Sequence, residues 1–193
     1  MNYLIIECHP YSDSFTACAA KAIEAVLVQK GDKVRTVNLV TDGFDPVMRE
    51  GDLKLWGKGQ TADSKATAYQ KEIEAADIIV FPFPLWWGTM PAILKGFCDK
   101  VLLPGWAYKN ENGKLVGLLA GKKAIVINTM QAPTQVYKGY FGNPIEGAFI
   151  KDTLQTCGFE VLKHIIIDGI ISGGRENAEA KMKEIIAYFE GLD

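Results

Sequence analysis

Short apolar runs and longer amphipathic stretches alternate along this chain. Tyr3 to Cys8 is a nearly continuous apolar run, as expected of a strand covered on both faces. A polar loop, His9-Pro10-Tyr11-Ser12-Asp13-Ser14, follows it. Phe15 to Gln29 then carries Ala, Ile, Val and Leu at helical spacing and stops at Lys30-Gly31-Asp32, where glycine suits a helix end. Val34 to Val40 predicts a second strand. Residues 41 to 59 hold Gly43, Pro46, Gly51, Gly57 and Gly59 and predict an excursion with a short helix at most. Ala62 to Ala76 predicts a helix, and Asp77 to Phe81 a buried strand. Pro91 to Val101 predicts the next helix, with proline suited to its first turn. Leu103 to Gly121 has no clean period. Lys123 to Thr129 predicts a fourth strand, Met130 to Asn143 a long loop, and Ile145 to Cys157 a helix. Phe159 to Asp168 predicts a fifth strand and Glu176 to Glu190 the last helix.

Strands alternating with helices build a parallel α/β sheet with helices on both faces. The 193 residues suit a single domain spanning 1–193, long enough to fold without staples or metal. Ligands of such sheets bind beyond the carboxyl ends of the strands. Function is therefore sought in the loops after the first, third and fourth strands.

Charge and cysteine usage narrow the classes. Lys and Arg total 21 against 23 Asp and Glu, so no strong field points at nucleic acid or an anionic membrane. No apolar run reaches the roughly 20 residues that span a bilayer. Met1 to Glu7 lacks a basic region and holds an acid, so it reads as a strand rather than a signal peptide. Cys8, Cys18, Cys98 and Cys157 form no Cys-x-x-Cys pair, and His9 and His164 lie far apart. A metal site or disulfide scaffold is not expected, and free thiols suit a reducing cytoplasm.

The loops carry the chemistry. No Gly-x-Gly-x-x-Gly follows the first strand, and no Walker-type phosphate loop occurs. Instead Ser12, Ser14 and Thr16 bring hydroxyls to the start of the next helix, where backbone N–H groups favour an anion. Plain helix capping is the competing reading of the same residues. After the third strand comes Phe83-Pro84-Leu85-Trp86-Trp87-Gly88-Thr89-Met90-Pro91-Ala92-Ile93-Leu94-Lys95-Gly96. Two adjacent tryptophans in a proline-bounded loop suit one wall of a pocket for a flat, apolar ligand. Successive residues of an extended loop point oppositely, so one indole is expected in the pocket and the other in the core, with Trp87 favoured for the pocket.

That third-loop sequence resembles the signature of the NAD(P)H:quinone oxidoreductase family, flavoproteins of the flavodoxin-like fold. His9 with Ser14-Phe15, Gly105-Trp106-Ala107-Tyr108 and Cys157-Gly158-Phe159 agree with it, and the similarity spans about residue 3 to about 190. The resemblance implies a five-stranded parallel sheet in the order 2-1-3-4-5. It implies one flavin per chain, FMN or FAD, with its phosphate on His9, Ser14, Phe15 and Thr16. The isoalloxazine edge would then lie on Pro84, Leu85, Trp86, Trp87 and Gly88, with Asn128, Thr129, Met130 and Gln131 from the fourth loop. Some relatives have Thr-Thr-Gly-Gly where this chain has Asn128-Thr129-Met130-Gln131. Some place a tyrosine and a histidine beside the flavin. Tyr137 or Tyr140 is the catalytic donor implied here, and no histidine lies between His9 and His164 to complete the pair.

The implied activity is two-electron hydride transfer from NAD(P)H through the flavin to a quinone, nitroaromatic or azo acceptor, in a ping-pong cycle. A cytoplasmic homodimer with the flavin at the subunit boundary is expected. The alternative is an ancillary subunit of a potassium-efflux transporter. A flavodoxin-type electron carrier is disfavoured by the net charge of −2 and the histidine-proline loop.

Overall fold

The computed structural model of the chain describes residues 1–192. Its centre is a five-stranded, wholly parallel sheet. The strands are β1 (Asn2–Glu7), β2 (Lys33–Asn38), β3 (Ile78–Pro84), β6 (Lys123–Thr129) and β7 (Glu160–Ile167), in the order β2-β1-β3-β6-β7. Strands β4 (Tyr108–Glu111) and β5 (Lys114–Gly117) form a separate antiparallel hairpin. With the hairpin set aside, the order is the expected 2-1-3-4-5.

Alternation along the strands divides the core into two layers. Tyr3, Ile5, Ile78, Val80, Ile125 and Ile127 face one side. There they meet Ala20, Ile23 and Leu27 of α1 (Phe15–Gln29) and Ile185 and Phe189 of α6 (Gly174–Glu190). Leu4, Ile6, Ile79, Phe81, Phe83, Ala124 and Val126 face the other side. That side is covered by α3 (Ser64–Ala75), α4 (Ala92–Val101) and a π-helix, Ile145–Gln155. Each fully buried Ile, Leu or Phe contributes about 1.5–3 kcal/mol, so the strand runs fix the sheet's position between its helices.

Two departures from the sequence expectation, and one expected excursion, matter for the site. Strand β3 runs on to Pro84, although proline disfavours a central strand. Beyond Val80, however, β3 pairs only with β6. Leu85 N donates to Thr129 O at 2.7 Å, so odd-numbered residues here donate toward β6. The missing N–H groups of Pro82 and Pro84 therefore fall on the side where the ladder has ended. Within the long fourth loop lies a six-residue helix, α5 (Thr134–Gly139). The excursion after β2 contains α2 (Glu50–Trp56), with no buried residue, and is held to α4 from elsewhere. Pro46 packs directly on Gly96, where a Cβ would meet it at 2.3 Å. Lys100, buried in α4, pairs with Asp63 at 2.7 Å and donates to Asp45 O at 3.0 Å.

Candidate functional site

The carboxyl ends of β1, β3 and β6 meet at one edge of the sheet, and the first loop is built on a buried acid. Glu7 closes β1 with its side chain 3 % exposed. Its carboxylate accepts from His9 N at 2.6 Å and from Asn38 Nδ2. Burial pushes its pKa up, and those two hydrogen bonds oppose the shift. His9 Nδ1 accepts from Tyr11 N at 3.0 Å, so a neutral ring carries its proton on Nε2. Burial lowers the His9 pKa and favours that neutral form.

Ser14 is the N-cap of α1: its Oγ accepts from Ala17 N at 3.1 Å. The capping reading therefore holds for Ser14, and its hydroxyl proton stays free to donate outward. The N–H groups of Phe15 and Thr16 have no partner among the described residues, as helix starts leave them. Thr16 is buried, with its hydroxyl 3.0 Å from that of Thr129, which ties the first loop to the end of β6.

The third loop is a two-residue reverse turn. Trp86 N donates to Thr89 O at 2.9 Å, and Thr89 N donates to Trp86 O at 3.2 Å. Between them Trp87 has φ 52° and Gly88 has φ 80°, the signs of a type I′ turn. Neither indole enters the core, which corrects the expectation that one would. Trp86 is half exposed and meets the His9 ring edge-on, with centroids 6.0 Å apart. Trp87 is fully exposed. The turn breaks the extended alternation on which that expectation rested.

Two adjoining cavities open here. The first, about 460 Å³, is lined by His9, Ser14, Phe15, Thr16, Pro84, Leu85, Trp86, Thr129, Met130 and Gln131, and also by Tyr11, Ile170 and Ile171. The second, about 380 Å³, shares Leu85, Met130 and Gln131 and adds Trp87, Gly88, Ala132, Tyr137 and Phe141. Both lie within the 300–1,000 Å³ of ordinary small-molecule sites. All but one of the thirteen residues implied for cofactor binding line one of the two.

The exception is Asn128. It is fully buried on the π-helix side, with its Oδ1 2.7 Å from His164 Nε2, and lines neither cavity. Strand alternation sends it to the opposite face from Thr129. The two candidate donors also separate. Tyr140 is largely exposed, stacks edge-on against Phe141 and lines neither cavity. Tyr137 lines the second cavity but is 1 % exposed, and burial raises its pKa. Its hydroxyl accepts from Ile145 N at 3.1 Å and donates to Gly88 O at 3.3 Å.

Sequence reasoning passed over Glu7, Tyr11, Ala132, Phe141, Ile170 and Ile171. An acid closing a buried strand was the available signal for Glu7. Ile170 and Ile171 arrive from the loop after β7, which nothing in their own sequence marks.

A parallel sheet with two loop-built cavities beyond its carboxyl edge defines a flavodoxin-like α/β protein. A family profile described as flavodoxin-like fold matches residues 1–191. A Haemophilus influenzae protein named as an uncharacterized NAD(P)H oxidoreductase is 34 % identical over 162 residues, covering 83 % of this chain and 80 % of its own length. The Cavia porcellus NAD(P)H dehydrogenase [quinone] 1 is 33 % identical over 187 residues, covering 86 % and 68 %. An FMN-dependent NADH-azoreductase from Bacillus anthracis, solved in complex with FMN, superimposes with a TM-score of 0.76 at 21 % identity, covering 98 % of each chain; at that identity it speaks for the fold alone. The chain belongs to the flavodoxin-like NAD(P)H:quinone oxidoreductase family and is an oxidoreductase.

Proposed function

We propose that the first cavity binds one flavin per chain and that the second receives, in turn, a nicotinamide and a flat acceptor such as a quinone, nitroaromatic or azo compound. The donor set fits a flavin. Unpartnered N–H groups of Phe15 and Thr16, the Ser14 hydroxyl and the His9 ring suit a phosphate. Pro84, Leu85 and Trp86 offer an apolar wall for a three-ring system, while Gln131 and the N–H groups of Trp87 and Gly88 suit its polar edge. Bound there, a flavin supplies two-electron hydride exchange, oxidising NAD(P)H and reducing the acceptor.

The chain's own residues bind, orient and exclude water. His9 and Ser14 hold the phosphate end, and the Thr16–Thr129 contact keeps the first and fourth loops at a fixed separation. The walls of the second cavity are mostly apolar and carry no charged side chain, which suits a flat, neutral acceptor. A groove of about 670 Å³ continues past Phe15 and Ile170 between α1 and α6, beside Arg175 and Met182. It offers room for the adenylate half of FAD, which FMN lacks. We place the protein in the cytoplasm, where free thiols persist, and expect a homodimer whose second copy covers the exposed Tyr140, Phe141 and Trp87.

The observation that carries this reading is the convergence of twelve implied residues on one cleft. Steady-state kinetics with NADH or NADPH and a quinone test it. Parallel lines in double-reciprocal plots are expected, because donor and acceptor take turns in one cavity. Intersecting lines would assign them to separate places and count against the shared second cavity.

A further inference from the structure

The turn at Trp86–Thr89 is not explained by its own residues. A type I′ turn selects Asn-Gly or Gly-Gly at its centre, because both central residues need φ above zero. A bulky L side chain such as Trp87 is disfavoured at φ 52°, and its ring buries nothing in return. Something outside the turn must hold it.

Tyr137 is placed to do so. Its hydroxyl donates to Gly88 O at 3.3 Å while Thr89 N donates to Trp86 O at 3.2 Å, so both ends of the Gly88–Thr89 peptide are held. The tyrosine itself is immobilised from three directions. Its ring is buried, its hydroxyl accepts from Ile145 N at 3.1 Å, and its carbonyl accepts from Asn143 N at 3.1 Å. Its helix is anchored at the start, where Asp168 Oδ2 accepts from Thr134 N at 2.7 Å and from Thr134 Oγ1 at 2.6 Å. The hydroxyl's one proton and one accepting direction are both committed inside the protein.

We propose that Tyr137 is a positioning residue for acceptor recognition: through Gly88 it holds the turn so that Trp87 stands as a wall of the second cavity for flat aromatic acceptors. It is then not a proton donor to the cofactor. This rests on reading the second cavity as the acceptor cavity, and the test keeps the two readings apart.

Tyr137→Phe removes the latch together with the bond to Ile145. Gly88→Ala keeps the tyrosine and its bond to Ile145 but strains the turn, since φ there is 80° and no atom lies within 4 Å of the added Cβ. In cofactor-free protein, hydrogen exchange of the Thr89 amide should quicken about fivefold in Tyr137→Phe, the worth of one ordinary hydrogen bond, and by a similar factor in Gly88→Ala, from the strain of alanine at a positive φ. In holoenzyme, the KM for a naphthoquinone should rise by a similar factor, while the pH profile of kcat keeps its shape in Tyr137→Phe. Unchanged Thr89 exchange and unchanged KM in both variants would overturn the proposal. So would the loss of one limb of the kcat profile in Tyr137→Phe, which would make the tyrosine a proton donor. If Tyr137→Phe does not fold, the wild type decides through its Tyr137 hydroxyl proton: slow exchange with water supports the latch, and exchange as fast as that of a free phenol would overturn it. Failure of the wild type to bind flavin would remove the functional reading, whereas the exchange result tests the latch by itself.

Discussion

Ser14 has two roles that one pair of variants can separate. Its oxygen caps α1 through Ala17 N, and its proton is free for a phosphate. Ser14→Ala removes both. Loss of an N-cap to alanine costs about 1 kcal/mol, and replacement by glycine only a few tenths. For a chain of this size, that is roughly 2–4 °C of melting temperature for alanine and roughly 1 °C or less for glycine. Both variants lose the same hydrogen bond to a charged phosphate, worth about 1.5–3 kcal/mol, which corresponds to about tenfold or more in affinity. Melting curves of cofactor-free protein and fluorescence titrations with flavin measure the two effects independently. The reasoning predicts that Ser14→Gly melts nearly like wild type yet binds flavin at least about tenfold more weakly. A Ser14→Gly protein that binds flavin normally would refute the phosphate role and leave Ser14 a cap alone.

Three further outcomes follow from the geometry. Trp87→Asn places the preferred Asn-Gly pair at the type I′ turn and loses no buried surface, so melting should rise by a few degrees at most while the KM for aromatic acceptors increases; a lower melting temperature would contradict the turn assignment. Burial lowers the pKa of His164, so the unfolded chain takes up its proton more readily and stability falls as pH drops through the ordinary histidine range near about 6.5. His9 shifts the same way, so His164→Gln should lessen the fall in melting temperature between about pH 7.5 and 5.5 without abolishing it, and an undiminished fall would exclude the burial argument. The Thr134 hydroxyl and N–H hold the Asp168 carboxyl below its usual range, a stabilisation present above about pH 4 and lost only on further acidification; Asp168→Asn should therefore loosen α5 at neutral pH, read as faster amide exchange across residues 134–139.

Most of the sheet was legible because each strand is a short, nearly continuous apolar run bounded by polar turns. The elements that escaped lack that signal. Strands β4 and β5 have only four residues each, most of them exposed, and only Asn112-Gly113 between them marks a hairpin. Helix α5 has six residues, of which Tyr137 alone is buried, too few to show a period. The site was legible to the extent that it sits on sequence-local loops. Ser14, Phe15 and Thr16 share one helix start, and Pro84 to Gly88 share one turn. Side-chain direction was not legible. Asn128 and Thr129 are neighbours on one strand, yet only Thr129 reaches the cleft, because adjacent strand residues face opposite layers. The positive φ of Trp87 was equally hidden, since it is held by Tyr137, fifty residues away in sequence.

The central claim is that this cleft holds a flavin and passes hydride from a nicotinamide to a flat acceptor. Anaerobic titration of the purified, flavin-loaded protein tests it most directly. The account predicts one flavin per chain, its yellow absorbance bleached by one equivalent of NADH or NADPH and restored by one equivalent of quinone. A protein that takes up no flavin at micromolar concentration, or whose bound flavin neither nicotinamide bleaches, would contradict it.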